Sequence, residues 1–325
     1  MTLELSCAFA TSMATPEHVA VAESLGYRRA WLYDSPALYP DVWMSLARAA
    51  ERTSRIGLGP GVLIPSLRHP MANAAAIATL VELAGTERVA VAIGTGFTGR
   101  FTLGQKPLRW AFVADYVRCL RALLRGDIAT WEGAKMQMIH PAGFGASRPI
   151  DVPIILGAAG PKGVATAKEV GDGVFMAGGD PVPGLAWQAS LMFGTVLDDG
   201  ETAASPRVLS AAGHGAAVSY HFWYENGRPM EALPGGMAWL DAYADIAADE
   251  RHLAIHDLHL IGVNQRDRAF ITPEIIAAMG GVFSPAQLRD RLEAMEAGGI
   301  TEVAYQPAGP DIPRELEAFA AAAGR

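Results

Sequence analysis

Short apolar runs alternate along this chain with longer segments whose apolar positions recur at helical spacing. Leu3 to Phe9 alternates and reads as a first strand. Thr15-Pro16-Glu17 then opens a helix, with Thr15 as cap and Pro16 in the first turn, that runs to Leu25-Gly26. Arg29 to Tyr33 predicts strand two, ending in Asp34-Ser35-Pro36, and Asp41 to Thr53 predicts helix two. Strand three begins at Arg55 to Leu58 and passes through Gly59-Pro60-Gly61 into Val62-Leu63-Ile64. His69-Pro70 opens an Ala-rich helix that stops at Gly85; Arg88 to Ile93 is strand four, followed by Gly94-Thr95-Gly96. Pro107 to Leu124 reads as a helix closed by Gly126, and residues 127–150 read as an insertion holding a hairpin about Glu132-Gly133.

Residues 151–179 form the sharpest unit. Pro153 to Leu156 is a buried strand, Pro161 to Val170 a helix with proline in its first turn, and Gly173 to Met176 a second strand. Strand, helix, strand at this spacing is a parallel βαβ unit. The first strand ends in Gly157-Ala158-Ala159-Gly160 and the second in Ala177-Gly178-Gly179, so a ligand can approach the backbone closely at both. The helix N-terminus favours an anion. Lys162 in that first turn opposes the helix dipole by about 0.3–1 kcal/mol unless a phosphate sits there. Arg207 to Tyr220 reads as strand seven, residues 225–300 as mostly helical, Thr301 to Tyr305 as strand eight, and Pro313 to Ala323 as a closing helix. The pattern predicts a single α/β domain over residues 1–325, a (β/α)8 TIM barrel with an insertion after strand four. Chemistry in such a barrel sits at the C-terminal strand ends, where this chain places Gly, Asp, Thr and His.

Composition narrows the partners. The net charge is −8 with no basic stripe, which argues against nucleic acid. No run of apolar residues is long enough to span a membrane, and the start lacks a basic region and an apolar signal core. Two well-separated cysteines, Cys7 and Cys119, suggest a reduced cytoplasmic protein. There is no Gly-x-Ser-x-Gly elbow and no complete dinucleotide fingerprint.

The stretches RIGLGPGVLIPSLRHP (55–70), RVAVAIGTG (88–96), VPIILGAAGPKG (152–163) and GDGVFMAGG (171–179) resemble the luciferase-like oxidoreductase superfamily. Within it they resemble the methylenetetrahydromethanopterin-reductase-like branch, which uses the deazaflavin coenzyme F420; other members use FMN. The resemblance implies a non-prolyl cis peptide at Gly61-Val62, in a strand-three bulge that supports the cofactor ring. It implies an acidic residue near the ring edge, matched by Asp34, and a homodimer built on early barrel helices, here the Trp43-bearing helix two and residues 71–84. The cofactor-binding set it implies is Asp34, Gly61, Val62, Gly94, Thr95, Gly157, Ala158, Ala159, Gly160, Lys162, Ala177, Gly178 and Gly179. Two positions depart from the pattern: Ser35 stands where the sugar-phosphate dehydrogenases have His, and Phe97 where some members have a carboxylate. That argues against the sugar-phosphate activity.

For proton transfer the candidates are Asp34, His214 and His221, the two histidines flanking the expected end of strand seven. Trp223 and Tyr224 are candidates for walling a substrate pocket, and Arg68-His69 for capping helix three. His252, His256 and His259 are metal-like by count, but on one helix His259 would leave the face shared by the other two, so no metal site is expected. The expectation is an F420-dependent oxidoreductase that passes a hydride to or from a small organic substrate. The alternatives are an FMN-dependent monooxygenase and a non-catalytic cofactor-binding barrel.

Overall fold

The structure is a computed structural model that describes residues 3–324. Eight parallel strands close into a barrel: β1 (Glu4–Phe9), β2 (Arg29–Leu32), β3 (Gly57–Leu63), β4 (Val91–Gly94), β5 (Ile154–Gly157), β6 (Gly173–Met176), β7 (Trp187–Met192) and β8 (Glu302–Tyr305). Round the barrel the order is β1-β8-β7-β6-β5-β4-β3-β2. The longer helices lie outside: α1 (Thr15–Ser24), α2 (Val42–Ala50), α3 (Pro70–Ala84), α4 (Trp110–Arg125), α5 (Pro161–Val170), α6 (Pro206–Glu225), α7 (Pro285–Gly298) and α8 (Ile312–Ala322). No helix among the described residues is long and apolar enough to cross a membrane.

Local chemistry fixes most helix ends. Asp41 accepts from the Trp43 and Met44 N–H groups to start α2, and His69 Nδ1 accepts from Met71 N–H to start α3. Gly126 takes the left-handed conformation that ends α4. Ser284 and Gln287 form a reciprocal capping box at α7. Thr15 departs from expectation. Its hydroxyl accepts from Ser12 N–H at 2.7 Å, and Ala14 occupies the cap without a side-chain bond.

The larger correction concerns strand seven. It is Trp187–Met192, and the segment expected to hold it is the long helix α6. Gly213 and Gly215 suggested a strand end, but the buried positions Val208, Ala211, Ala212, Ala216 and Tyr220 recur every three to four residues. Pro206 in the first turn and the alanines favour helix as well. Residues 225–300 include short helices and much irregular backbone before α7. The insertion after β4 is present as a hairpin, Ala129–Trp131 with Ala134–Met136. A longer excursion separates β7 from β8, and its two ends are tied by parallel pairing of Thr195–Val196 with Val282–Phe283. Beside that pairing, Arg207 donates to Glu315 Oε1 at 2.6 Å and to Glu201, and Thr195 Oγ1 donates to Glu315 Oε2 at 2.6 Å.

The barrel interior is filled by Trp31, Trp187 and Phe175 among alanines of β1, β4, β7 and β8. Glu302 is buried there at 1% exposure. Its two oxygens accept from the Trp31 and Trp187 indole N–H groups at 2.8 and 2.7 Å. Both carboxylate oxygens and both indole N–H groups are thus paired, as a low-dielectric interior favours.

Candidate active site

The C-terminal strand ends and the excursion after β7 enclose a cleft of about 650 Å³. Its floor comes from β3 to β6. Strand β3 shifts register between Gly61 and Leu63, and the Gly61-Val62 peptide is cis, where the resemblance placed it. Val62 projects between two glycines. A Cβ at Gly94 or at Gly157 would stand 2.8 Å from a Val62 methyl, so neither position admits a side chain without displacing Val62. Ala158, Ala159, Ala177 and Gly178 continue the floor, leaving a shallow, nearly side-chain-free shelf.

Of the expected cofactor set, Asp34, Gly61, Val62, Gly94, Thr95, Gly157, Ala158, Ala159, Ala177 and Gly178 line the cleft. Gly160, Lys162 and Gly179 do not line it and are exposed. Gly160 is the N-cap of α5, where no side chain caps the helix, and a Cβ added there would meet nothing within 4 Å. Lys162 makes no ion pair among the described residues.

Asp34 is 3% exposed, and its carboxylate is fully engaged. Arg68 Nη1 donates to its two oxygens at 2.7 and 2.9 Å, and Ile64 N–H donates to Oδ2 at 3.3 Å. Burial pushes the Asp34 pKa up while Arg68 pulls it down, and the net direction is upward. The other arm of Arg68 reaches Asp41 Oδ2 at 2.6 Å. Arg68 thus ties β2, the segment after β3 and the start of α2 together. Capping of α3, which Arg68-His69 were expected to provide, falls to His69 alone.

The two histidines flagged for proton transfer need correction. His214 lies in α6, fully buried against Phe193, and does not line the cleft. Burial pushes its pKa down to about 4. His221 is also off the cleft surface. Its Nε2 bonds Asp267 Oδ2 at 2.8 Å and its Nδ1 faces His259 Nδ1 at 3.0 Å. Helix geometry put both residues behind the wall that a strand would have exposed. His256 and His259, expected to diverge on one helix, instead converge with His221, because the helix Arg251–Ile255 ends before them and Leu258 and Leu260 adopt positive φ. His259 reaches the cleft wall, where its Nε2 meets Thr98 Oγ1 at 3.3 Å. Burial, then the neighbouring imidazoles, push His259 well below the ordinary histidine pKa.

Sequence reasoning missed much of the upper wall. Phe97 packs edge-on to Phe101 at 4.7 Å and beside Phe222 at 5.6 Å, forming an apolar side above the shelf. Trp223 lines the cleft as expected, whereas Tyr224 packs outside it against Trp239. Leu260, Met279 and Arg291 complete the wall, and Arg291 is its single cationic side chain among the described residues. Leu260 and Met279 come from irregular backbone of the excursion, where periodicity carries no signal, and Arg291 projects from α7. A second concavity, between Phe112, Cys119 and Trp131, lies on the outside of the barrel and includes no strand end of β1 to β8.

Residues 11–302 match the model of a family described as luciferase-like monooxygenase. A 5,10-methylenetetrahydromethanopterin reductase of Archaeoglobus fulgidus is 26% identical over 316 residues, covering 92% of this chain and 91% of the relative. Among solved structures, a coenzyme F420-dependent tetrahydromethanopterin reductase of Methanopyrus kandleri superposes with a TM-score of 0.68 at 19% identity, covering 98% of each chain. An F420-dependent secondary alcohol dehydrogenase in complex with an F420–acetone adduct gives 0.66 at 16% identity, covering 99% of each.

Proposed function

Because the chain belongs to the luciferase-like monooxygenase family, we propose that it is an oxidoreductase whose strand-end cleft holds the deazaflavin coenzyme F420 and serves a small organic substrate. The observation that carries this reading is the shelf formed by Val62 between Gly94 and Gly157 and extended by Ala158, Ala159 and Ala177. A planar tricyclic ring needs such a surface, flat and free of side chains, and backbone N–H groups that it can approach. The start of α5, which no side chain caps, and Lys162, which makes no ion pair among the described residues, suit the cofactor's phosphate. The names of the two F420-dependent neighbours support the deazaflavin over FMN.

When bound, the deazaflavin supplies a carbon that gives or takes a hydride. The chain's part is orientation and exclusion of water. Val62 would support the ring from the cleft floor. Phe97 and Phe222 would help exclude water, and Trp223 and Arg291 also line the cleft, where they would be available to a substrate. Asp34, locked to Arg68, acts as an anchor of the strand ends and a fixed negative charge beside the shelf. The substrate is a small molecule, bounded by what remains of the cavity above a bound ring. Buried Cys7 and Cys119, neither of them in a disulfide, fit a reducing, cytoplasmic setting. We further infer a homodimer through α2 and α3, which carry the exposed apolar side chains Met44 and Leu83.

Gly160→Asp tests the cofactor site. Gly160 has extended backbone angles at an N-cap, so aspartate there should hold or raise the melting temperature. The added carboxylate should repel a phosphate and weaken F420 binding by about tenfold or more, which is about 1.4 kcal/mol. Unchanged F420 affinity in a well-folded variant would remove the phosphate assignment. If instead FMN binds tightly and F420 does not, the monooxygenase activity in the family's description becomes the better reading.

A further inference from the structure

We propose that His221, His256 and His259 form a binding site for a divalent transition-metal cation of the zinc type, set in the wall of the cleft. One ring nitrogen of each lies within 4.8 Å of the others. The Nδ1 atoms of His221 and His256 stand 3.0 and 3.2 Å from His259 Nδ1. Nitrogen ligands about 2.0–2.1 Å from a tetrahedral zinc ion are spaced by about 3.3–3.4 Å. The rings are therefore already close to a coordinating arrangement.

The outward nitrogens strengthen the case. His221 Nε2 faces Asp267 Oδ2 at 2.8 Å, and His256 Nε2 faces Glu225 Oε1 at 3.2 Å. A carboxylate only accepts, so each of these Nε2 atoms carries the proton and each Nδ1 presents a lone pair inward. His259 Nδ1 can offer at most one proton to two acceptors. Hydrogen bonding within the chain thus leaves the centre short of donors, where a cation would satisfy all three rings. A carboxylate behind a ligating imidazole is the usual second layer of a zinc site. Asp267 is itself fixed by Trp239 Nε1 at 2.7 Å, Tyr243 OH at 2.8 Å and Asn264 Nδ2 at 2.9 Å.

Charge balance agrees. Asp267 is buried, Glu225 is half-buried, and neither has a Lys or Arg within salt-bridge distance among the described residues. Their two negative charges match a divalent cation. The all-nitrogen donor set disfavours magnesium and calcium, which take oxygen ligands. The ion would clasp α6 to the loop carrying His256 and His259. Because His259 and Leu260 line the cleft, it would also stiffen that wall.

The test uses the full chain, stripped with a chelator and dialysed, then titrated with Zn²⁺ against a chromophoric competitor. We expect one tightly held ion per chain by elemental analysis, and a raised melting temperature with Zn²⁺ present. Co²⁺ loading should give visible bands of tetrahedral intensity. His221→Gln and His256→Gln should each weaken Zn²⁺ binding by about tenfold or more, while His252→Gln, outside the cluster, should not. If either cluster variant fails to fold, the melting shift and Co²⁺ spectrum of the unaltered chain decide. Absence of stoichiometric binding and of any melting shift would overturn the proposal, as would retention of the ion in both cluster variants. None of these readouts depends on F420, so the metal site and the cofactor site fail or survive separately.

Discussion

Replacing Arg68 by alanine is the sharpest probe of how the strand ends are held. The change removes three charged hydrogen bonds, two to Asp34 at 2.7 and 2.9 Å and one to Asp41 at 2.6 Å. Asp41 is 37% exposed at its side chain, so water replaces much of that contact. The Asp34 side chain is 1% exposed and keeps only the 3.3 Å contact from Ile64 N–H. Breaking a buried ion pair costs about 3–5 kcal/mol, because one charge stays buried without its partner. Arg68 is 18% exposed, which places the expected loss at about 3 kcal/mol at pH 7, a melting drop on the order of 5 °C. The pH dependence has a definite sign. Without Arg68 the folded-state pKa of Asp34 rises further above its ordinary 3.8. Folding then favours the protonated acid, so the penalty relative to the unaltered protein grows as pH rises above that ordinary value and shrinks toward it. The assay is thermal or urea unfolding of both proteins at matched pH from 7 down to about 4. The double variant with Asp34→Asn should recover a large part of the loss, giving a clear coupling energy. A loss below about 1 kcal/mol at pH 7, or one that does not diminish in acid, would refute the account of Asp34 as a charge held by Arg68.

Three further outcomes are expected. Gly157→Val should push Val62 off its position and weaken F420 binding by about tenfold or more, read by fluorescence titration, with a smaller effect on unfolding. Arg207 pulls the Glu201 pKa from an ordinary 4.5 to about 2, so Arg207→Met should show a stability deficit that is full above pH 4.5 and fades as pH falls toward 2, measured by unfolding at each pH. Light scattering at micromolar concentration should give twice the chain mass, and Met44→Glu should shift it toward one; a monomer in the unaltered protein would remove the α2–α3 interface.

The barrel was legible wherever one face of a segment is buried along its whole length. Helix α5 and strand β6 fall on their expected boundaries, and Gly85 and Gly126 end their helices as turn chemistry requires. The shelf was legible because small residues at strand ends have few other uses. Strand β7 was not. Gln188 and Ser190 break its apolar run, since they are buried polar groups, with Gln188 bonding backbone at Val182 and Leu185. Helix α6 looked like a strand end because its glycines approach other parts of the chain: a Cβ at Gly213 would stand 2.8 Å from Val263, and one at Gly215 3.2 Å from Phe193. The histidine cluster was hidden for a related reason. His221 meets His256 and His259 only through tertiary folding of an irregular loop, and spacing along the chain holds no trace of it.

The central claim is that the strand-end shelf is a deazaflavin site, and equilibrium titration of the purified chain tests it most directly. F420 and FMN are titrated separately into the same preparation and followed by cofactor fluorescence, then in competition. The account expects saturable F420 binding at one per chain, at least about tenfold tighter than FMN. FMN binding as tightly or more tightly, or no saturable F420 binding by a folded chain, would contradict it.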